Sequence, residues 1–164
     1  MISCYQIMTN AVNMFHNRDA YIYFYGAKGQ VLTDEIMLAL IAAEPSYYSK
    51  FSEEDIRYFM DMSRGKIGID CSGYINLCTG LVNYSTGYIN SSRNQTEPTA
   101  GTWGNCLYTT FGGTGRHIGL DIGGGRFLHI GSMGNSIELG IISEFPWERS
   151  GQIDGVDYFL TSNK

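Results

Sequence analysis

A cysteine that attacks an amide needs an imidazole to take its proton, and this chain has four cysteines and three histidines to draw on. Cys71 lies in the stretch GKIGIDCSGYINLCTGLVNY, residues 65–84. Downstream of it Ile75, Cys78 and Val82 recur at helical spacing, which predicts a helix beginning near Cys71. Asp70 then stands at or beside the N-cap. Cys71 falls in the first turn, where unpaired N–H groups and the positive end of the helix dipole favour a thiolate. Ser72 and Gly73 are small and leave room above the sulfur for a planar carbonyl, and N–H groups at this end could hold an oxyanion. Free cysteine is also a common buried and inert residue. Position alone therefore leaves Cys71 open between chemistry and packing, whereas Cys4, Cys78 and Cys106 read as packing residues.

Of the histidines, His16 falls near the end of a predicted helix, where a surface cation is favoured. His117 and His129 lie in RHIGLDIGGGRFLHIG, which reads as a hairpin about Gly123-Gly124-Gly125. Burying Ile118, Leu120, Ile122, Leu128 and Ile130 on one face requires Gly119 opposite His129, as a three- or five-residue connection allows. A two-residue connection would flip the second strand. The register that suits the core turns both histidines to the other face as diagonal neighbours, roughly 7–8 Å apart. Cys71, His117 and His129 thus form a candidate thiolate, base and orienting residue. Asp121 shares their face as an alternative orienter. The same three residues could instead ligate zinc, although no H-x-x-x-H or C-x-x-C chelate accompanies them.

The elements that must hold these residues read as helices first and strands afterwards, an α+β pattern. Helices are expected over about 4–17, capped by Ser3 with Gln6 completing a capping box, over 33–44 capped by Thr33, and over 52–65 capped by Ser52. Ile56, Phe59 and Met60 share a core-facing stripe in the last of these. YIYFYGAKGQ, residues 21–30, reads as a short extended piece entering a turn. Residues 85–116 are rich in Ser, Asn, Thr and Gly, and are expected to be a long variable loop lying over the cleft. The N-x-S/T matches in and just before it, at Asn83, Asn90 and Asn94, are what such composition generates by chance. SIELGIIS and GVDYFLTS complete an expected antiparallel meander.

Composition bounds the rest. A chain of 164 residues, 43% hydrophobic and 16% charged, is most simply one globular domain. A formal net charge of −5 argues against a general nucleic-acid binder and against broad attraction to anionic surfaces. No segment approaches the roughly 18 apolar residues of a membrane span, so no membrane insertion is expected. The first residues lack the charged start and apolar run of a secretory signal, so synthesis in a cytoplasm and reduced thiols are expected.

The segments DCSGYINLC and RHIGLDIGGGRFLHIG together resemble the NlpC-type cysteine peptidases, papain-like enzymes that cut bacterial cell-wall peptides. The shared pattern is D-C-S-G-aromatic at a helix start, then H-x-G-x-x-x-G-x-G on a strand and a third polar residue further on. The resemblance implies a papain-like α+β fold over the whole chain, with Cys71 as nucleophile, His117 as general base and His129 as orienting residue, and no cofactor. YIYFYGAKG is similar to the family's upstream aromatic–glycine stretch. That places Tyr23 at its active-site-lining tyrosine, and Tyr23 and Ser72 are carried as substrate-binding or oxyanion candidates. The implied substrate is a peptidoglycan stem peptide, cut after γ-D-glutamate by a wall-lytic enzyme such as a phage endolysin that reaches the wall once released. Arg116 and Arg126 could meet the stem's carboxylates or be plain solvated charges. Two features depart from the pattern: a helical insertion over about 31–65, and GTWGNCLYTTFGGTG where the family has a G-D-L-V strand. Two other readings stay open, namely an amidase, acyltransferase or deamidase on another amide, and a non-catalytic module with a Cys/His zinc site.

Overall fold

The computed structural model describes residues 1–159. The chain opens with β1 (Ile2–Ser3) and α1 (Cys4–His16). Ser3 caps α1 as expected, accepting from the Gln6 N–H at 3.1 Å, but the Gln6 amide donates to Asn10 instead of reaching back. Strands β2 (Tyr21–Tyr23), β3 (Lys28–Val31) and β4 (Ile67–Ile69) form a small sheet in the order β2-β4-β3. Between β3 and β4 run α2 (Asp34–Ala43), the single turn α3 (Pro45–Tyr48) and α4 (Glu53–Ser63). Thr33 and Ser52 cap the two predicted helices, and Ser52 with Asp55 makes a complete capping box. Pro45 sits at the start of α3, where its missing N–H breaks no helical bond.

One residue after β4 comes α5 (Cys71–Thr79), which ends at Gly80 in the left-handed conformation (φ 74°). Val82 therefore lies past the helix and is 93% exposed, contrary to its expected place on the buried stripe. Then follow α6 (Ser85–Ser91) and the strands β5 (Arg93–Thr96), β6 (Cys106–Thr109), β7 (His117–Gly123), β8 (Arg126–His129), β9 (Glu138–Ile141) and β10 (Arg149–Gln152). These six strands make one antiparallel sheet in the order β5-β10-β6-β7-β8-β9. A last short strand, β11 (Val156–Asp157), pairs in parallel with β1. The remainder of the strand expected in GVDYFLTS, residues 160–162, lies outside the described residues.

Residues 85–116 correct the expected long loop. They hold α6, the outer strand β5 and the interior strand β6. Cys106, Leu107, Tyr108 and Thr109 are all buried, because β6 is covered on both faces. A strand buried on both faces has no period-two alternation to read. Only residues 110–116, between β6 and β7, form a loop beside the cleft.

The β7–β8 hairpin reaches the expected register by another route. Its turn is the two-residue Gly124-Gly125, closed by the pair Gly123↔Arg126, which alone would flip β8. A bulge between Asp121 and Gly123 inserts one residue and restores the pairs Asp121↔Phe127 and Leu120↔Leu128. Continued by one residue, that register sets Gly119 opposite His129. Ile118, Leu120, Leu128 and Ile130 enter the main core with Ile7, Ala11, Tyr74 and Ile75, where α5 packs between α1 and β7. The other face is also covered: Leu107, Phe127, Ile142 and Trp147 form a second cluster, with Phe145 against it.

Candidate active site

The cysteine half is assembled locally. Asp70 is the N-cap of α5 and accepts from the Gly73 N–H at 2.7 Å. Gly73 is required by close packing, since a Cβ there would lie 2.8 Å from the Ala27 carbonyl oxygen. Lys28 donates to Asp70 Oδ1 and Oδ2 at 2.6 and 2.8 Å and to Ser72 Oγ at 2.6 Å. Ser72 in turn donates to Asp70 Oδ1, so its hydroxyl belongs to a buried cap network at the edge of the cavity. Cys71 is half-buried, with Sγ 3.3 Å from Ser85 Oγ. Burial, and after it the Asp70 carboxylate, push its thiol up; Ser85, the Ile118 N–H and Lys28 pull more weakly downward. This reverses the expectation of a depressed thiol at a helix start, because desolvation outweighs the helix end here.

The histidine half is assembled across the sheet. His117 Nε2 and His129 Nδ1 lie 2.7 Å apart, with both residues buried. Burial, then the neighbouring His129, lower the His117 pKa to about 3. Burial also lowers His129, opposed by the nearby Glu138 carboxylate. Trp147 stacks on His117 at 5.5 Å between centroids and Phe111 at 6.1 Å, while Phe127 and Phe145 meet His129 edge-on. The space left by Gly119 is not empty: a Cβ there would come 2.8 Å from the Trp147 indole. Asp121, the alternative orienter, accepts from the Gly123 N–H at 2.8 Å and closes the hairpin turn instead. The 2.7 Å separation suits a shared proton, since a shared zinc would need about 2 Å to each nitrogen with the ion between them.

Two cavities open on these halves. One, of about 410 Å³, is lined by Cys71, Ser72, Lys28 and Ser85. The other, of about 780 Å³, is lined by His117, His129, Lys50 and Phe145. Tyr23, Tyr25 and Arg116 line both, so the two make one cleft with Tyr23 at its waist. Tyr23 is buried, and burial followed by the nearby Cys71 keeps its hydroxyl protonated far above the ordinary phenol range. No hydrogen bond joins Cys71 to His117 among the described residues. Arg126 lies at the far end of the hairpin opposite Ile141 and lines neither cavity, and His16 is exposed at the end of α1.

Several lining residues were missed by sequence reasoning. Tyr47 of α3 stacks on Tyr25 at 3.8 Å with 8° between planes, and Lys50 lies 4.0 Å over the Tyr47 ring. The Tyr48 hydroxyl ties the same turn down by donating to the Tyr25 carbonyl. The expected helical insertion thus supplies one wall of the cleft. Its signal was the aromatic pair Tyr47-Tyr48 directly after Pro45. Ser85, Glu138 and Trp147 carried no local signal.

No protein-family model matches the chain, and no curated protein matches it. Solved structures do. The peptidoglycan hydrolase RipB from Mycobacterium tuberculosis aligns with a TM-score of 0.56 at 14% identity, over 92% of this chain and 66% of that one. The NlpC/p60 domain of the peptidoglycan hydrolase SagA aligns with 0.55 at 19% identity, over 93% of this chain and 100% of that one. The P60 domain of an antigen from M. avium subspecies paratuberculosis aligns with 0.57 at 14% identity, over 92% and 96%. The chain has the NlpC/p60 fold, as the resemblance implied, and spans just under two thirds of the RipB structure it matches.

Proposed function

We propose that this protein is a cysteine-dependent hydrolase of an amide bond in bacterial peptidoglycan stem peptides, with Cys71 as nucleophile, His117 as base and His129 as its orienter. The observation that carries this reading is the buried His117–His129 pair at 2.7 Å, in a cleft it shares with a cysteine on the first turn of α5. The fold shared with wall hydrolases supplies the substrate class.

In the free protein the reacting groups are both neutral, because burial raises the Cys71 thiol and lowers His117. Proton transfer to His117 therefore accompanies the attack of sulfur on the carbonyl carbon. The oxyanion that forms is held by the Cys71 N–H, with the Tyr23 hydroxyl as second donor at the waist of the cleft. His117 then protonates the leaving amine as the C–N bond breaks, which gives a thioester. It next takes a proton from water, whose oxygen attacks the thioester carbon and releases the acid and the Cys71 thiol. The aromatic shell of Phe111, Phe145 and Trp147 keeps bulk water from the imidazoles.

Arg116 is exposed where the two cavities join and makes no ion pair among the described residues, which suits a carboxylate of the stem peptide. The finer form of the proposal is cleavage after γ-D-glutamate by a wall-lytic enzyme such as an endolysin. Mass spectrometry of purified muropeptides after digestion tests it. Two fragments whose masses sum to substrate plus water, absent with Cys71→Ala, are expected. A deamidated or acyl-transferred product would assign the same triad to another acceptor, and unchanged cutting by Cys71→Ala would sink the proposal.

A further inference from the structure

We propose that Glu138 is a positioning residue that extends the histidine pair into a Glu138–His129–His117 relay and selects the one tautomer in which His117 can accept the proton of Cys71. The inference rests on the reading of His117 as the base.

Two neutral imidazoles that share one hydrogen bond have two arrangements. In one, His117 Nε2–H donates to His129 Nδ1; His117 Nδ1 is then bare, and His129 carries its proton on Nε2. In the other, His129 Nδ1–H donates to His117 Nε2; His117 then carries its proton on Nδ1 and has no lone pair left to act as a base. The pair by itself has nothing to prefer the first over the second. Glu138 provides the preference, because its Oε2 lies 3.8 Å from His129 Nε2. That distance exceeds a hydrogen bond, so the carboxylate acts as a negative charge facing Nε2 and favours a proton there. The proton on Nε2 of His129 leaves Nδ1 as acceptor, and the preference passes along the 2.7 Å bond to His117.

The backbone enforces this placement. His129 and Glu138 are direct cross-strand partners of β8 and β9, on the same face of the sheet. A one-residue slip of β9 would turn Glu138 away. The Glu138 side chain is 51% exposed, whereas that of His129 is 10% exposed. His129 is its only ion-pair partner among the described residues. The same cavity is also lined by the cations Lys50 and Arg116, and Tyr23, Tyr25 and Tyr47 are the other titratable groups there besides His117. The Glu138 carboxylate is the group that counters the effect of burial on His129.

The test is ¹⁵N NMR of the histidine rings in the intact protein at neutral pH, alongside kcat and KM on a purified muropeptide, for the native chain, Glu138→Ala and Glu138→Asp. The native spectrum is expected to show protons on Nε2 of both His117 and His129. Glu138→Ala is expected to mix the tautomers and lower kcat about 10-fold at unchanged KM, with Glu138→Asp restoring most of both. A native spectrum with His117 protonated on Nδ1 overturns the relay, and so do unchanged tautomers in Glu138→Ala. A rise in KM alone would make Glu138 a substrate contact and would likewise overturn it. The spectra need no turnover, so they decide the relay even if the native chain cuts no muropeptide.

Discussion

The two sides of the cleft hold their candidate catalytic groups by opposite means. Cys71 is held on the first turn of α5 beside its N-cap Asp70, in a polar setting where Asp70, Ser72 and the more distant Lys28 satisfy one another. His117 and His129 are fixed by two strands and an aromatic cap drawn from β6–β7 and β9–β10, in a dry setting with one polar contact between the rings. A hydrogen-bonded cap keeps its geometry while partly wet. An aromatic cage keeps a base unprotonated only while it excludes water. The difference teaches that Cys71 is positioned by local contacts, whereas the histidine pair is positioned by packing, so the two halves should fail differently.

The largest effect falls on the chemistry itself. On the proposed function, Cys71→Ala and His117→Ala are each expected to cut muropeptide turnover by about 10³-fold or more, and the double variant by little beyond either, as two members of one catalytic unit would. Additive losses would mean that the two sides work independently.

Next comes the cage. Trp147→Ala removes a side chain that packs on both His117 and Gly119, and is expected to cost about 3 kcal/mol in denaturant unfolding. Lys28→Met on the polar side, where the ion pair is partly exposed, should cost about 1 kcal/mol. Equal costs would erase the contrast between a packed half and a hydrogen-bonded half.

The pH response separates the halves further. His117 titrates near 6.5 in the unfolded chain and at about 3 in the fold. Between those values the unfolded chain binds more protons, so stability rises with pH across the window and is lost as pH falls through it. Melting temperature should drop on acidification from pH 6.5 towards 3, and less steeply in His117→Asn. On the other side, Cys71 lies above its ordinary value of 9.0, so its alkylation by iodoacetamide should still be climbing past that pH. A plateau below pH 7 would show a preformed thiolate.

The smallest effect is expected at Ser85. Ser85→Ala removes a hydrogen bond that lowers the Cys71 thiol, and at fixed neutral pH should slow alkylation several-fold, in line with about 1 kcal/mol for one such bond. Faster alkylation would show that the hydroxyl shields the sulfur instead.

Much of the cysteine side was legible in the chain because caps and turns are short-range. Asp70 with Gly73, Thr33 with Ile36 and Ser52 with Asp55 are contacts three residues apart, readable without a fold. The hairpin register was also legible, because only one alternation buries Ile118, Leu120, Leu128 and Ile130 together. β6 was not, since a strand buried on both faces has no alternation to read. Neither was the bulge that makes a two-residue turn compatible with that register. Ser85 at 3.3 Å from Cys71 and Trp147 against His117 were invisible for a plainer reason: each is a contact between distant segments that carries no pattern in either one.

By itself, then, the order of residues determined where the candidate groups stand: a thiol on the first turn of α5, and two imidazoles on one face of a hairpin. Local hydrogen bonding and the demand to bury aliphatic side chains allow little else. Tertiary structure alone decided what state those groups are in. Desolvation raises the Cys71 thiol and lowers His117, and the cross-strand Glu138 lies against the outer imidazole. Desolvation depends on everything that packs around a group, and no segment of the chain contains that by itself.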